Sequence, residues 1–120
     1  MSRDWQFCLE DIVESGSRIA TYTQSMSLEQ FRGNQLVFDA VVRNLEIIGE
    51  AARHLPSAIT DAIPEVEWDR TVAFRDVIAR HYFGLDPHIV WDLVQTKIPD
   101  IVRSSSAALA RFRRSSSRMS

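Results

Sequence analysis

The residues with the most chemistry to offer lie in one short stretch, "FRDVIARHYFG", residues 74–84. Arg75, Arg80, His81 and Tyr82 all fall there, in a segment that otherwise reads as helix. A guanidinium stays charged and presents a planar, bidentate donor set that fits a phosphate. An imidazole supplies an acid or a base near neutrality. An RNA strand carries its own nucleophile, the 2′-hydroxyl. Cutting it needs a group that moves protons and a cation that neutralises the pentacoordinate phosphate. Arginine, histidine and tyrosine at one helix end are a sufficient set for that chemistry without a metal.

Spacing alone does not pair these groups. At about 100° per residue, position 80 lies about 140° from Arg75 around a helix, and position 81 about 120° the other way. Neither faces Arg75 directly. A site would need either an unwound helix end before Gly84 or a second subunit placed across a two-fold axis.

The elements that must position these residues read as helices. Strand alternation and Asn-Gly or Asp-Gly hairpin turns are absent from the sequence. Trp5, Cys8, Ile12, Ile19 and Tyr22 share a face and place a first helix at about 4–24. Ser27 with Gln30 forms a capping-box pattern for a short helix ending near Gly33. A third helix at about 35–54 carries the seam Val37, Val41, Asn44, Ile48, Ala51 and Leu55. Pro56 and Pro64 break the chain after it. A fourth helix runs from about Trp68 to near Gly84, with a seam of Trp68, Val72, Arg75, Ala79 and Tyr82. Asp86 and Pro87 open a fifth as cap and first residue, and Pro99 should kink or restart it. The fold class expected is an all-α bundle of four longer helices and one or two short ones. It would occupy residues 1–113. Residues 114–120 would form a flexible tail rich in serine and arginine, or an RNA- or partner-binding one.

Two polar residues interrupt the apolar seams. Asn44 either fixes register as a buried amide or borders a polar cleft; Arg43, Glu46 and Glu50 form a polar stripe beside it. Arg75 sits where an apolar side chain is expected. It either forms an internal salt bridge, with Glu50 as the candidate partner, or clamps a phosphate. The three tryptophans and Cys8 read as packing residues.

Bulk properties narrow the class. With 120 residues the chain is one domain, and 45% hydrophobic and 25% charged residues are ordinary for a globular protein. A net charge of −2 argues against coating nucleic acid by bulk charge, though not against a local basic patch. A single cysteine excludes an intrachain disulfide and fits a reducing cytoplasm. No apolar run reaches the roughly 20 residues that span a bilayer, and the acidic start does not fit a signal peptide. His54, His81 and His88 are too scattered for a metal site, and no cofactor loop is present.

Three blocks in order, "AVVRNLEIIGEAARHLP", "FRDVIARHYFGLD" and "IVWDLV", resemble the HepT toxins, the HEPN-domain half of bacterial HEPN–MNT toxin–antitoxin pairs. The resemblance covers about residues 4–110. It implies an all-helical homodimer and a metal-independent endoribonuclease cutting RNA where the two subunits' motifs meet. It implies no cofactor. The implied partner is a minimal nucleotidyltransferase antitoxin that transfers AMP to the motif tyrosine. The family motif is arginine, four residues, histidine, one residue, tyrosine. Arg75 and Tyr82 match it. Arg80 stands where the histidine belongs, and His81 follows one place later. The broader family pattern allows four to six intervening residues, so Arg75 and His81 still qualify. By this resemblance Arg75 binds the scissile phosphate and His81 is the acid or base. Arg80 contacts phosphate or takes over part of the histidine's role, and Tyr82 is the modified residue. Asn44, Glu50 and Asp76 support the cleft. Two alternatives stand beside this: a relative that binds RNA or the nucleotidyltransferase without cutting, and an oligomeric scaffold whose polar seam sets register only.

Overall fold

The computed structural model describes the backbone of residues 4–119 and the side chains of residues 4–114. Among the described residues seven α-helices follow in order: α1 (Asp4–Thr23), α2 (Leu28–Arg32), α3 (Gln35–Arg53), α4 (Ser57–Asp61), α5 (Trp68–His81), α6 (Pro87–Gln95) and α7 (Lys97–Met119). A 3₁₀ turn, Tyr82–Gly84, links α5 to α6, and no strand occurs among the described residues. Four helices are long and form the bundle. Helix α3 lies between α1 and α5, α1 also packs on α7, and α6 joins α2 to α7.

Local signals set most boundaries. Ser27 accepts a bond from the Gln30 amide while the Gln30 side chain accepts from the Ser27 amide, so the capping box is complete. Asn34 caps α3 by accepting from Val37. Asp86 caps α6 by accepting from the His88 amide at 2.9 Å, with Pro87 at the first helical position. The chain breaks at Thr96 rather than at Pro99. Starting α7 at Lys97 puts Pro99 in a first turn, where no N–H is needed. Helical backbone then continues through Met119, past the expected boundary at residue 113. Side chains beyond Arg114, and with them the expected flexibility of the tail, lie outside the described residues. No described helix is long and apolar enough to cross a membrane.

The α3 seam is seen as read: Val41, Asn44, Ile48, Ala51 and Leu55 are buried and Val37 is half-buried. Phe38, Val42, Leu45, Gly49 and Ala52 are buried as well, because α3 is covered on two sides. In α1, Leu9, Ile12 and Ile19 are core. Trp5 and Cys8 are only half-buried, and Tyr22 is exposed while Thr23 is buried beside it. Trp5 packs edge-on against Phe112 of α7, with ring centres 4.6 Å apart.

Helix α5 departs most from its expected seam. Trp68, Thr71 and Ile78 are buried, Val72 is half-buried, and Arg75 and Ala79 are exposed. The cause is Gly49 of α3. A methyl group placed there would lie 3.2 Å from both the Arg75 nitrogen and the Thr71 carbonyl oxygen. Without a side chain at 49, the α5 backbone itself touches α3. Arg75 therefore puts its backbone in the interface and its side chain along the α3 edge.

Candidate active site

A polar stripe runs down α3 through Asp39, Arg43, Glu46, Glu50 and His54, spaced three or four residues apart. That spacing keeps them on one helical face. Helix α5 runs antiparallel beside it, since Arg75 meets Glu50 and the later Tyr82 meets the earlier Asp39. The lower part of the stripe, with Arg75 and with Cys8 and Asp11 of α1, lines an open trough of about 460 Å³.

Arg75 Nη1 donates to Glu50 Oε2. The other Glu50 oxygen, Oε1, lies 3.0 Å from His54 Nε2. Glu50 is thus held from two sides, and its carboxyl is lowered below the usual value of 4.5. The hydrogen bond from His54 contributes most, followed by the charges of Arg75, Arg53 and His54; partial desolvation opposes them. The salt-bridge partner read from the sequence is the one observed. It does not use up Arg75: the guanidinium is half-exposed, and its other N–H groups make no protein hydrogen bond among the described residues.

Tyr82 donates its hydroxyl to Asp39 Oδ1, which also accepts from Gln35 Nε2 at 2.8 Å. This bond raises the phenol above its ordinary value of 10.0, with smaller contributions from desolvation and from the Asp39 and Glu46 charges, against a lowering by Gln35. The ring stacks edge-on with Phe83 at 5.3 Å.

His81 is the last residue of α5, and its backbone (φ −125°, ψ 17°) has left helical geometry. The unwound end considered from the sequence is present, so ideal-helix angles no longer set the direction of His81 relative to Arg75. Arg80 and His81 are both exposed and make no side-chain hydrogen bond or ion pair among the described residues. Phe83, next to Tyr82, is fully exposed.

Two expected supporting residues lie elsewhere. Asn44 is buried and does not line the trough; its Nδ2 donates to the Ala40 carbonyl at 2.8 Å, and its Oδ1 is buried without a partner among the described residues. Asp76 is exposed and bonds to none of the site residues. Asp39 and His54 escaped the sequence reading. Both continue the periodicity of the Glu46/Glu50 stripe, the one signal that could have found them. Among the described residues no group of three or more histidine, cysteine or acidic side chains is placed to hold a metal ion.

Comparison with known proteins places the chain. The family model described as "Ribonuclease HepT-like" matches residues 12–108. A Thermococcus cleftensis protein named "Probable ribonuclease HepT" is 35% identical over 101 residues, covering 84% of this chain and 92% of its own. A Methanocaldococcus jannaschii protein named "Putative RNase MJ1380" is 34% identical over 99 residues, covering 82% of this chain and 91% of its own. No solved structure matches. With the helical bundle, the Arg75–Glu50 pair and Tyr82 in place, and a family match across most of its length, the chain belongs to the HepT-like ribonucleases of the HEPN class.

Proposed function

We propose that this chain is a metal-independent endoribonuclease and the toxin component of a cytoplasmic toxin–antitoxin pair. The observation that carries the reading is Arg75. It is a half-exposed guanidinium, tethered by one N–H to Glu50, with its remaining donors available to a phosphate. In this mechanism Arg75 holds the non-bridging oxygens of the scissile phosphate. The 2′-oxygen bonds to phosphorus and the bond to the 5′-oxygen breaks. His81 moves protons between the attacking and the leaving oxygen, and Arg80 adds charge to the pentacoordinate phosphate. The site is completed by a second copy of the chain. The trough beside Arg75 holds three acids, Asp11, Glu46 and Glu50, against Arg43 and Arg75. It needs further positive charge to take a polyanion, and Arg80 and His81 at the exposed end of α5 can supply it across a two-fold axis. The exposed Phe83, and Leu36 one turn before Asp39, fit an apolar contact in such a dimer.

Regulation follows from Tyr82. An MNT-type nucleotidyltransferase antitoxin would transfer AMP from ATP to its hydroxyl: the phenol oxygen bonds to the α-phosphorus, pyrophosphate leaves, and the phenol proton is lost. The modification would break the Asp39 bond and set an anion beside the groups meant for RNA phosphate. One observation favours a second reading: Arg80 stands at the motif's histidine position and is a poor base, so a form that binds RNA or the nucleotidyltransferase without cutting is the alternative.

The test is the chemistry of the cut ends. Attack by the 2′-oxygen leaves 2′,3′-cyclic phosphates and 5′-hydroxyls. Fragments made in excess EDTA should accept label from polynucleotide kinase without phosphatase treatment. Fragments with 5′-phosphates, or cleavage abolished by EDTA, would exclude the mechanism.

A further inference from the structure

We propose that His54 is a positioning residue for the ribonuclease site, holding the Glu50 carboxylate in the orientation that fixes Arg75. The inference rests on the assignment of Arg75 to the scissile phosphate. An exposed ion pair between long side chains is ordinarily loose, because ordering both costs entropy that the attraction barely offsets. Here the pair is tightened from behind. Glu50 Oε1 faces His54 Nε2 at 3.0 Å while Oε2 takes the Arg75 N–H, so rotating the carboxylate breaks two bonds rather than one. A carboxylate only accepts, so His54 donates through Nε2–H. His54 is itself anchored as the C-cap of α3, with its backbone N–H bonded to the Ala51 carbonyl at 3.2 Å.

Core packing does not explain His54, because its side chain is 58% exposed. Nor, among the described residues, does another partner compete for the carboxylate. The other charged or titratable groups lining the trough are Cys8 and Asp11 from α1 and Arg43 and Glu46 from α3, and none of them bonds to Glu50. The chain His54–Glu50–Arg75 thus runs from the fixed end of α3 to the guanidinium on α5. It links the connection after α3 to the phosphate-binding group.

The experiment compares wild type with Glu50→Gln, His54→Ala and His54→Gln, each checked for helical content. Two readouts are taken: the guanidinium N–H resonances of Arg75 by ¹⁵N NMR, and RNA cleavage in EDTA. Glutamine at 54 keeps an N–H donor four residues from Glu50, so it should restore what alanine removes. His54→Ala should broaden or shift the Arg75 resonances as Glu50→Gln does, and His54→Gln should return them toward wild type. Turnover should fall about tenfold in His54→Ala, less than the roughly hundredfold that ångström-scale misplacement of a group can cost. Arg75 resonances unchanged by His54→Ala would overturn the proposal, as would resonances that move while turnover stays at the wild-type level. If wild type cuts no RNA, the ribonuclease reading fails, and the NMR comparison still decides whether His54 positions Arg75.

Discussion

Tyr82 of the 3₁₀ turn donates its hydroxyl to Asp39, forty-three residues earlier on α3. With the Arg75–Glu50 bond, this ties α5 to α3 at two levels of one polar stripe. Arginine and tyrosine of the motif are thereby displayed along a single edge, although neither belongs to the core.

The Asp39 bond has a titration signature. Because Tyr82's folded value lies above its unfolded value, the bond adds stability below about pH 10. That stability is lost as pH rises through the raised value. In a Tyr22→Phe background only Tyr82 remains to report. Its tyrosinate absorbance should appear at lower pH in Asp39→Asn than with Asp39 intact. An unchanged titration would show that the bond does not persist in solution.

The glycine crossing makes a second prediction. In most helix interiors alanine gains up to about 1 kcal/mol over glycine. At Gly49 the added methyl would press on two backbone atoms of α5 at 3.2 Å, and overpacking costs roughly 1–3 kcal/mol. Gly49→Ala should therefore lower stability by about 1 kcal/mol net, a melting shift of about 4 °C. It should also reduce RNA cleavage, because α5 carries Arg75. A more stable variant with full activity would contradict the close crossing.

Legibility in the sequence followed the range of the interactions. Capping pairs within four residues, Ser27 with Gln30 and Asp86 with the His88 amide, could be read directly. So could the α3 seam, because its periodicity is intrinsic to one helix. The α5 seam was misread at Arg75 because the rotation of α5 is set by Gly49, twenty-six residues earlier in the chain. Asp39 was missed for a related reason: its partner Tyr82 lies forty-three residues later, and nothing local to α3 marks the pairing. Glu50 was found because an arginine on an apolar seam demands a nearby acid.

Cys8 allows a third test. Burial raises its thiol above 9.0, and the Asp11 and Asp4 charges raise it further. The thiolate is the reactive form. Alkylation by iodoacetamide at pH 8 should therefore be slower in the folded protein than after unfolding in urea. Asp11→Asn should speed it in the folded state. Equal rates folded and unfolded would refute this placement of Cys8 in the trough.

The most direct test of the central claim is the rate of RNA cleavage in excess EDTA by wild type and by Arg75→Ala, with His81→Ala and Arg80→His beside them. Each variant would first be checked for helical content and native mass. Wild type should cut, and folded Arg75→Ala should be slower by about 10²–10³, the usual cost of removing a donor that stabilises transition-state charge. His81→Ala should fall similarly. Cleavage by Arg75→Ala at the wild-type rate would contradict the account. Activity that appears only in Arg80→His would mean that this chain acts by binding rather than by cutting.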